Sequence, residues 1–220
     1  MHNQKSALNL FRFLLWPAAA VAFGCSFPKF QLSGLAFVFL VPLLLALEGK
    51  KPAAVFRIVF CFSAVSYLII LYWIPRVMVQ YGGTSWPLGI IGLVCLAAYL
   101  SLFSGLAGIG IGKIAAAGVD YWAVLWIPAL WVAKDLVTEK LLSGFPWCLA
   151  GYSQYKNIYF AQAAELGGIH LVTFLVIAIN VLIFKAFKTR AGKPLLALLV
   201  LVAVIYGAGY GLLKNHDARS

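Results

Sequence analysis

Nucleophilic catalysis needs a Ser, Cys or Lys beside a base, and one nucleophile here is suggestively placed: Cys148, directly after Trp147. No histidine is its evident partner, because His2 and His216 are terminal and His170 opens an apolar run. Asp135 and Glu139 are the remaining pair suited to acid/base work, with Lys134 and Thr138 beside them. At 3.6 residues per turn Trp131, Lys134, Asp135, Thr138 and Glu139 fall on one arc of a helix, and Lys140 lies off it. Such an arc either faces a bundle interior or wet cavity, as ionisable residues in a membrane span usually do, or belongs to a helix end already in water. Like charges at helical spacing also occur on solvated ends, so the arc alone makes no catalytic site. Cys25, Cys61, Cys95 and Cys148 are scattered singly, which indicates neither a disulfide framework nor a metal site. They read as small buried hydrophobes. Gly108-Ile109-Gly110-Ile111-Gly112-Lys113 superficially spells a nucleotide loop, but the spacing is wrong, Ile114 stands where Ser or Thr is required, and no strand precedes it. Neither cofactor nor metal is implied.

The elements that must position these residues are membrane spans. The chain is 64% hydrophobic and 10% charged, far from the roughly 25% charged residues of a soluble domain. A bilayer accepts segments of about 20 apolar residues without a packing partner, which predicts an all-α integral membrane protein, a bundle of about seven helices forming a single domain over residues 1–220. The expected spans are residues 7–24, 30–47, 55–73, 88–111, 122–142, 161–184 and 195–213. The first resembles a signal peptide with a basic start, but no polar mature domain follows it, so cleavage is rejected. Tyr72-Trp73-Ile74-Pro75-Arg76 reads as an interface end, with aromatics at headgroup depth and a proline stopping the helix. Gln80 to Pro87 reads as a loop by its glycine pair and proline. Within the fourth span Ser104, Gly108 and Gly112 recur every four residues, which lets a neighbouring helix approach closely.

A net charge of +11 would suggest nucleic acid in a soluble protein, but these basic residues lie between apolar runs, as topology determinants do, so a membrane surface is their partner and nucleic acid is not. With a cytoplasmic N-terminus, Lys5, Arg12, Lys50, Lys51, Arg57, Lys113, Lys185, Lys188, Arg190 and Lys193 lie inside, which places the C-terminus and the loops around 72–87 and 144–165 on the outer face. Those loops hold two glycine-rich turns and many aromatics, with Arg76, Lys156, Gln154 and Asn157 among them. An aromatic cleft with a cation suits a phospholipid, the rings meeting acyl chains and the cation the phosphate. An ordinary aromatic belt is the competing reading. Pro146 between Phe145 and Trp147 implies backbone that is not continuous helix.

The runs Pro128-Ala129-Leu130-Trp131-Val132-Ala133, Gly144-Phe145-Pro146-Trp147, Gly151-Tyr152-Ser153-Gln154, and Ala163-Ala164 leading to Gly167-Gly168 closely resemble the membrane portion of the bacterial apolipoprotein N-acyltransferase family. Upstream, Tyr72-Trp73-Ile74, Gly82-Gly83 and Ala97 to Phe103 resemble the same family in the same order. The resemblance implies acyl transfer from a phospholipid to the free amino group of the diacylglyceryl-cysteine that begins an apolipoprotein. It also implies a thioester on a cysteine, assisted by glutamate and lysine, in a periplasmic nitrilase-like domain between the seventh span and an eighth. The sequence stops where that domain would begin, so no catalytic residue is assigned and Cys148 is not promoted to fill the role. The family's fifth span usually carries a glutamate four residues after the tryptophan and an arginine three further on; here these are Asp135 and Thr138, and either Lys134 or Lys140 is left to supply the missing cation.

By this resemblance the chain is the membrane module of such an enzyme in the bacterial inner membrane, silent alone. Substrate contact is expected from Trp73, Arg76, Gly82, Gly83, Asp135, Gly144, Phe145, Pro146, Trp147, Tyr152 and Gln154. The partners expected are phospholipid, diacylated lipoprotein and a separate nitrilase-like chain docking on the outer face. The alternative is a truncated or degenerate, catalytically inactive paralogue that binds lipid or lipoprotein. A small transporter is disfavoured, because no internal repeat or paired broken helices are visible.

Overall fold

Proline tolerates only the first turn of a helix well, where its missing N–H is not needed, and Pro52, Pro75 and Pro87 each mark a helix start in this way. The computed structural model describes residues 2–118 and 120–217. In order, α1 is His2–Cys25, a 3-10 turn covers Ser33–Phe37, α2 is Leu40–Leu47, α3 Pro52–Ile70, α4 Ile74–Gly82, α5 Trp86–Ala117 and α6 Tyr121–Lys140. Two 3-10 turns, Leu141–Ser143 and Ala150–Gln154, precede α7, Ile158–Ala161; α8 is Ala164–Thr189 and α9 Gly192–Asp217. No strand occurs among the described residues. Pro52–Ile70, Trp86–Ala117, Ala164–Thr189 and Gly192–Asn215 are each long and apolar enough to cross a membrane; Leu14–Cys25 and Ser33–Leu47 are shorter apolar helical stretches. The α6 helix starts at an Asp120 cap, whose carboxylate accepts from the Ala123 N–H at 2.9 Å.

The expected segments recur as helix, with two differences. The stretch expected as a loop after Trp73 contains α4: Pro75 begins that helix instead of only ending the one before, and Gly83, at φ +65°, closes it by donating its N–H to the Met78 carbonyl. The expected second span, 30–47, is interrupted between its 3-10 turn and α2. A break surrounded by apolar helices leaves backbone groups without water, so protein must satisfy them. Asn180 of α8, fully buried, does so: its Oδ1 accepts from the Leu40 N–H at 2.9 Å, and its Nδ2 donates to the carbonyls of Ala36 and Val176, both at 2.8 Å. A further kink lies early in α8, where Gly168 adopts φ +64° and ψ −167°, a region essentially closed to side-chain-bearing residues.

Helices α3 and α5 meet along the small residues of α5. A Cβ on Gly108 would lie 2.7 Å from Val59, and one on Gly112 3.1 Å from Val55. The Gly108-to-Lys113 run is therefore helix-packing surface inside α5. Where α1, α2, α3 and α6 converge, an aromatic cluster fills the core: the Phe23 and Phe39 centroids are 4.4 Å apart, Phe39 stacks on Phe62 at 6.0 Å, and Trp131 meets Phe39 at 5.7 Å. At one end of the bundle Lys188 pairs with Glu48 at 2.6 Å and the Lys185 ammonium sits 3.6 Å from the Tyr121 ring centroid. The chain turns at the other end bring residues 26–33, 71–73 and 146–159 together. All four cysteines are free; Cys61 and Cys95 are exposed on their helices and not buried as expected, an ordinary lipid-side position for a small apolar side chain, whereas Cys148 is buried.

Replacing Asn180 by Leu removes all three of its bonds and strands a buried N–H and a buried carbonyl, each costing about 1–3 kcal/mol. The thermal midpoint of the detergent-solubilised Asn180→Leu variant is expected to fall clearly below that of the parent; equal midpoints would deny Asn180 this role.

Candidate functional site

The loop that follows α6 folds back onto its last turn. The Phe145 N–H donates to the Thr138 carbonyl and the Gly144 N–H to the Leu141 carbonyl, both at 3.0 Å. Gly144 has φ +78°, and a Cβ there would collide with the Glu139 backbone carbonyl, so no other residue fits. Phe145 packs partly buried against the core, while Pro146 and Trp147 turn outward. Cys148, Leu149 and Ala150 are buried again, and the Gly151 N–H donates to the Thr173 hydroxyl of α8 at 3.0 Å.

Pro146 and Trp147 form one wall of a cavity of about 470 Å³, completed on the same side by Tyr152 and Tyr155. A second wall is Ile69 to Trp73 at the end of α3, and a third is Phe27, Pro28 and Lys29 just beyond α1. Trp73 and Trp147 meet edge to face across 5.7 Å. The Lys29 ammonium lies 3.9 Å from the Tyr72 ring centroid and 5.3 Å from that of Phe30. A space of this size, apolar with few polar groups, is what small-molecule sites generally offer.

Of the residues expected from the sequence, the structure brings Trp73, Pro146, Trp147 and Tyr152 together around this cavity. Gly144 and Phe145 shape its supporting loop. Gln154 lies behind it, almost wholly buried: its Nε2 donates to the Ser33 carbonyl and to the Ser153 hydroxyl, both at 3.0 Å, and its Oε1 accepts from Asn157 at 3.3 Å. Arg76, Gly82 and Gly83 are exposed along α4, outside the lining. Sequence reasoning missed Lys29, Tyr72 and Tyr155. A signal for Lys29 existed, since it is the sole charged residue between Arg12 and Glu48.

Asp135 lies elsewhere, in the bundle interior. Its carboxylate pairs with the ammonium of Lys134, both side chains more than nine-tenths buried. The Thr138 hydroxyl donates to the Asp135 carbonyl at 2.8 Å, the Tyr67 hydroxyl bonds Ser104 at 3.0 Å, and Lys134 stands 5.1 Å from the Trp131 ring centroid. The arc on α6 thus faces inward, and the solvated alternative fails for Lys134, Asp135 and Thr138. Lys134 supplies the buried cation; Lys140 is exposed. Toward the loop end, Glu139 pairs with His170 of α8 at 3.2 Å. Burial pushes the Cys148 thiol well above its ordinary pKa, which keeps it protonated and unreactive at neutral pH.

The family model described as the apolipoprotein N-acyltransferase N-terminal domain matches residues 19–182. The chain belongs to that family. It is similar to the apolipoprotein N-acyltransferase of Geobacter metallireducens, with 32% identity over 205 residues, covering 89% of this chain and 39% of the relative. The enzymes of that name from Shewanella oneidensis and Chromobacterium violaceum are each 30% identical, over 92% and 96% of this chain and 39% and 41% of their own lengths. The chain therefore spans about two fifths of the length of these relatives. Both the cavity and the buried Lys134–Asp135 pair fall inside the part matched to the apolipoprotein N-acyltransferase N-terminal domain.

Removing one partner of a buried ion pair costs about 3–5 kcal/mol because the other charge is left bare, whereas replacing both by apolar groups is often neutral. Lys134→Met and Asp135→Leu are each expected to lower the thermal midpoint strongly, and the double variant to recover most of the loss. Simple addition of the two single losses would refute the pairing.

Proposed function

We propose that this chain is the membrane module of an apolipoprotein N-acyltransferase, a single domain that holds lipid substrate and docks a nitrilase-like catalytic part. The reaction moves an acyl chain from a phospholipid to the free amino group of a diacylglyceryl-cysteine, with the lysophospholipid as leaving group. The observation that supports this reading is the aromatic cavity of about 470 Å³ between the ends of α1 and α3 and the Pro146-Trp147 loop. Its rings suit an acyl chain, and its two tryptophans with Tyr72, Tyr152 and Tyr155 suit headgroup depth, where aromatic side chains collect. The lining includes no carboxylate and no thiol. Its residues accordingly bind and orient a lipid, and the covalent step is assigned to the nitrilase-like part.

In this reading the chain crosses the bacterial inner membrane about seven times, by α1, the Ser33–Leu47 stretch, α3, α5, α6, α8 and α9. The end that holds the Lys188–Glu48 and Lys185–Tyr121 contacts, near Lys50, Lys51 and Arg57, is cytoplasmic by its excess of basic residues. The cavity then opens at the periplasmic end. A second reading, a lipid- or lipoprotein-binding paralogue without catalysis, is favoured by the same lining, since binding needs nothing more.

Acyl transfer to a diacylated lipopeptide separates the two. Purified residues 1–220 are expected to be inactive alone and to support transfer when a nitrilase-like chain is added. Transfer by residues 1–220 alone would overturn the assignment of the chemistry, and inactivity with the partner would favour the non-catalytic paralogue. Trp147→Ala is expected to weaken phospholipid or lipopeptide binding severalfold, in line with the loss of one large aromatic contact; unchanged affinity would reduce Trp147 to a member of an aromatic belt.

A further inference from the structure

Within the cavity lining Lys29 is the lone charged side chain. Among the described residues no carboxylate pairs with it; its ammonium rests on the faces of Tyr72 and Phe30. The neighbouring cation Lys156 is already held by the Gln31 side chain and lies 5.7 Å from the Tyr155 ring centroid. The turn that presents Lys29 is tied back to α1, the N–H groups of Ser26 and Leu32 donating to the Ala22 and Cys25 carbonyls, both at 3.2 Å, and it is closed on itself by the N–H groups of Phe30 and Gln31, which donate to the Phe27 carbonyl at 3.1 and 2.9 Å. Position is therefore set by backbone while the long side chain stays exposed and free to swing from ring to ligand. A lysine on an aromatic face makes a weak, exchangeable contact. A phosphate offers the same ammonium charge-assisted hydrogen bonds, which are stronger.

We propose that Lys29 is the phosphate ligand of the cavity and makes it selective for phospholipid over uncharged diacylglycerol, with an acyl chain lying against Trp73 and Trp147. The inference rests on the lipid-binding reading above and adds to it a discriminating residue. Phosphate and acyl chain are both needed: the ammonium recognises the first and the aromatic walls the second.

The test uses the full chain in detergent and measures binding of dioleoylphosphatidylglycerol and of dioleoylglycerol by native mass spectrometry, with inorganic phosphate as competitor. The parent is expected to prefer the phospholipid on the order of tenfold, the scale of one hydrogen bond to a charged group. Lys29→Ala should abolish the preference while still binding both lipids, Lys29→Arg should keep it, and Lys140→Ala, an exposed lysine outside the cavity, should leave it unchanged. Equal binding of both lipids by the parent, or a preference that survives in Lys29→Ala, overturns the role of Lys29 and leaves the cavity reading standing. Binding of neither lipid overturns the cavity reading itself. Displacement of the phospholipid by inorganic phosphate at equal concentration would mark a free-phosphate site and also defeat the proposal.

Discussion

The amide of Asn180 is the interaction on which the loop end of the bundle depends. Helix α8 is the most deeply enclosed of the long helices, and Asn180 reaches from it to both sides of the break between the Ser33–Phe37 turn and α2. At the start of the same 3-10 turn the Ser33 carbonyl accepts from the Gln154 side chain, which anchors the Ala150–Gln154 turn. That turn carries Tyr152 and closes the loop of Pro146 and Trp147, so two buried amides more than a hundred residues from their partners fix one wall of the cavity against the others. In a bilayer the arrangement is enforced by the absence of water: a broken helix persists only where protein groups replace the missing backbone bonds.

Charge placement follows the same logic. Lys134 and Asp135 are adjacent on α6 yet both turn inward, where Tyr67 and Ser104 add hydroxyls from α3 and α5. A buried pair of this kind contributes little net stability, because desolvation offsets the attraction. Both partners ride on α6, so turning that helix would carry them together away from the Tyr67 and Ser104 hydroxyls toward apolar surroundings, which restricts its rotation about its own axis. That rotation determines which way the last turn faces, and hence where Gly144 and Phe145 dock back onto Glu139 and Thr138.

Much of this was legible from residue types. The small residues spaced along α5, the inward arc of α6 and the irregular backbone around Pro146 are local patterns with local causes, and each reappears in the structure. Helix α4 was not legible, because a proline after an aromatic run ends one helix or starts another with equal ease, and Gly82-Gly83 marks a helix end as well as a loop. Gln154 read as a polar group available to substrate, whereas its partner is the Ser33 carbonyl 121 positions away, a contact that leaves no periodic trace. Arg76 was the cation that the sequence singled out, and Lys29 was passed over although its type is equally suited to an anion. Only the folded chain brings Lys29 beside Tyr72 and leaves Arg76 on the outer face of a separate helix.

The two polar systems of the molecule are also separated in a way that bears on chemistry. The paired acid–base groups Lys134 and Asp135, and Glu139 and His170, lie along α6 and α8, and none of the four lines the cavity. Cys148 sits beside Trp147 in sequence but turns inward, toward Lys134 and Asp135, with its thiol held protonated by burial. A lipid in the cavity would therefore meet rings and one ammonium, a setting that retains an ester without activating it.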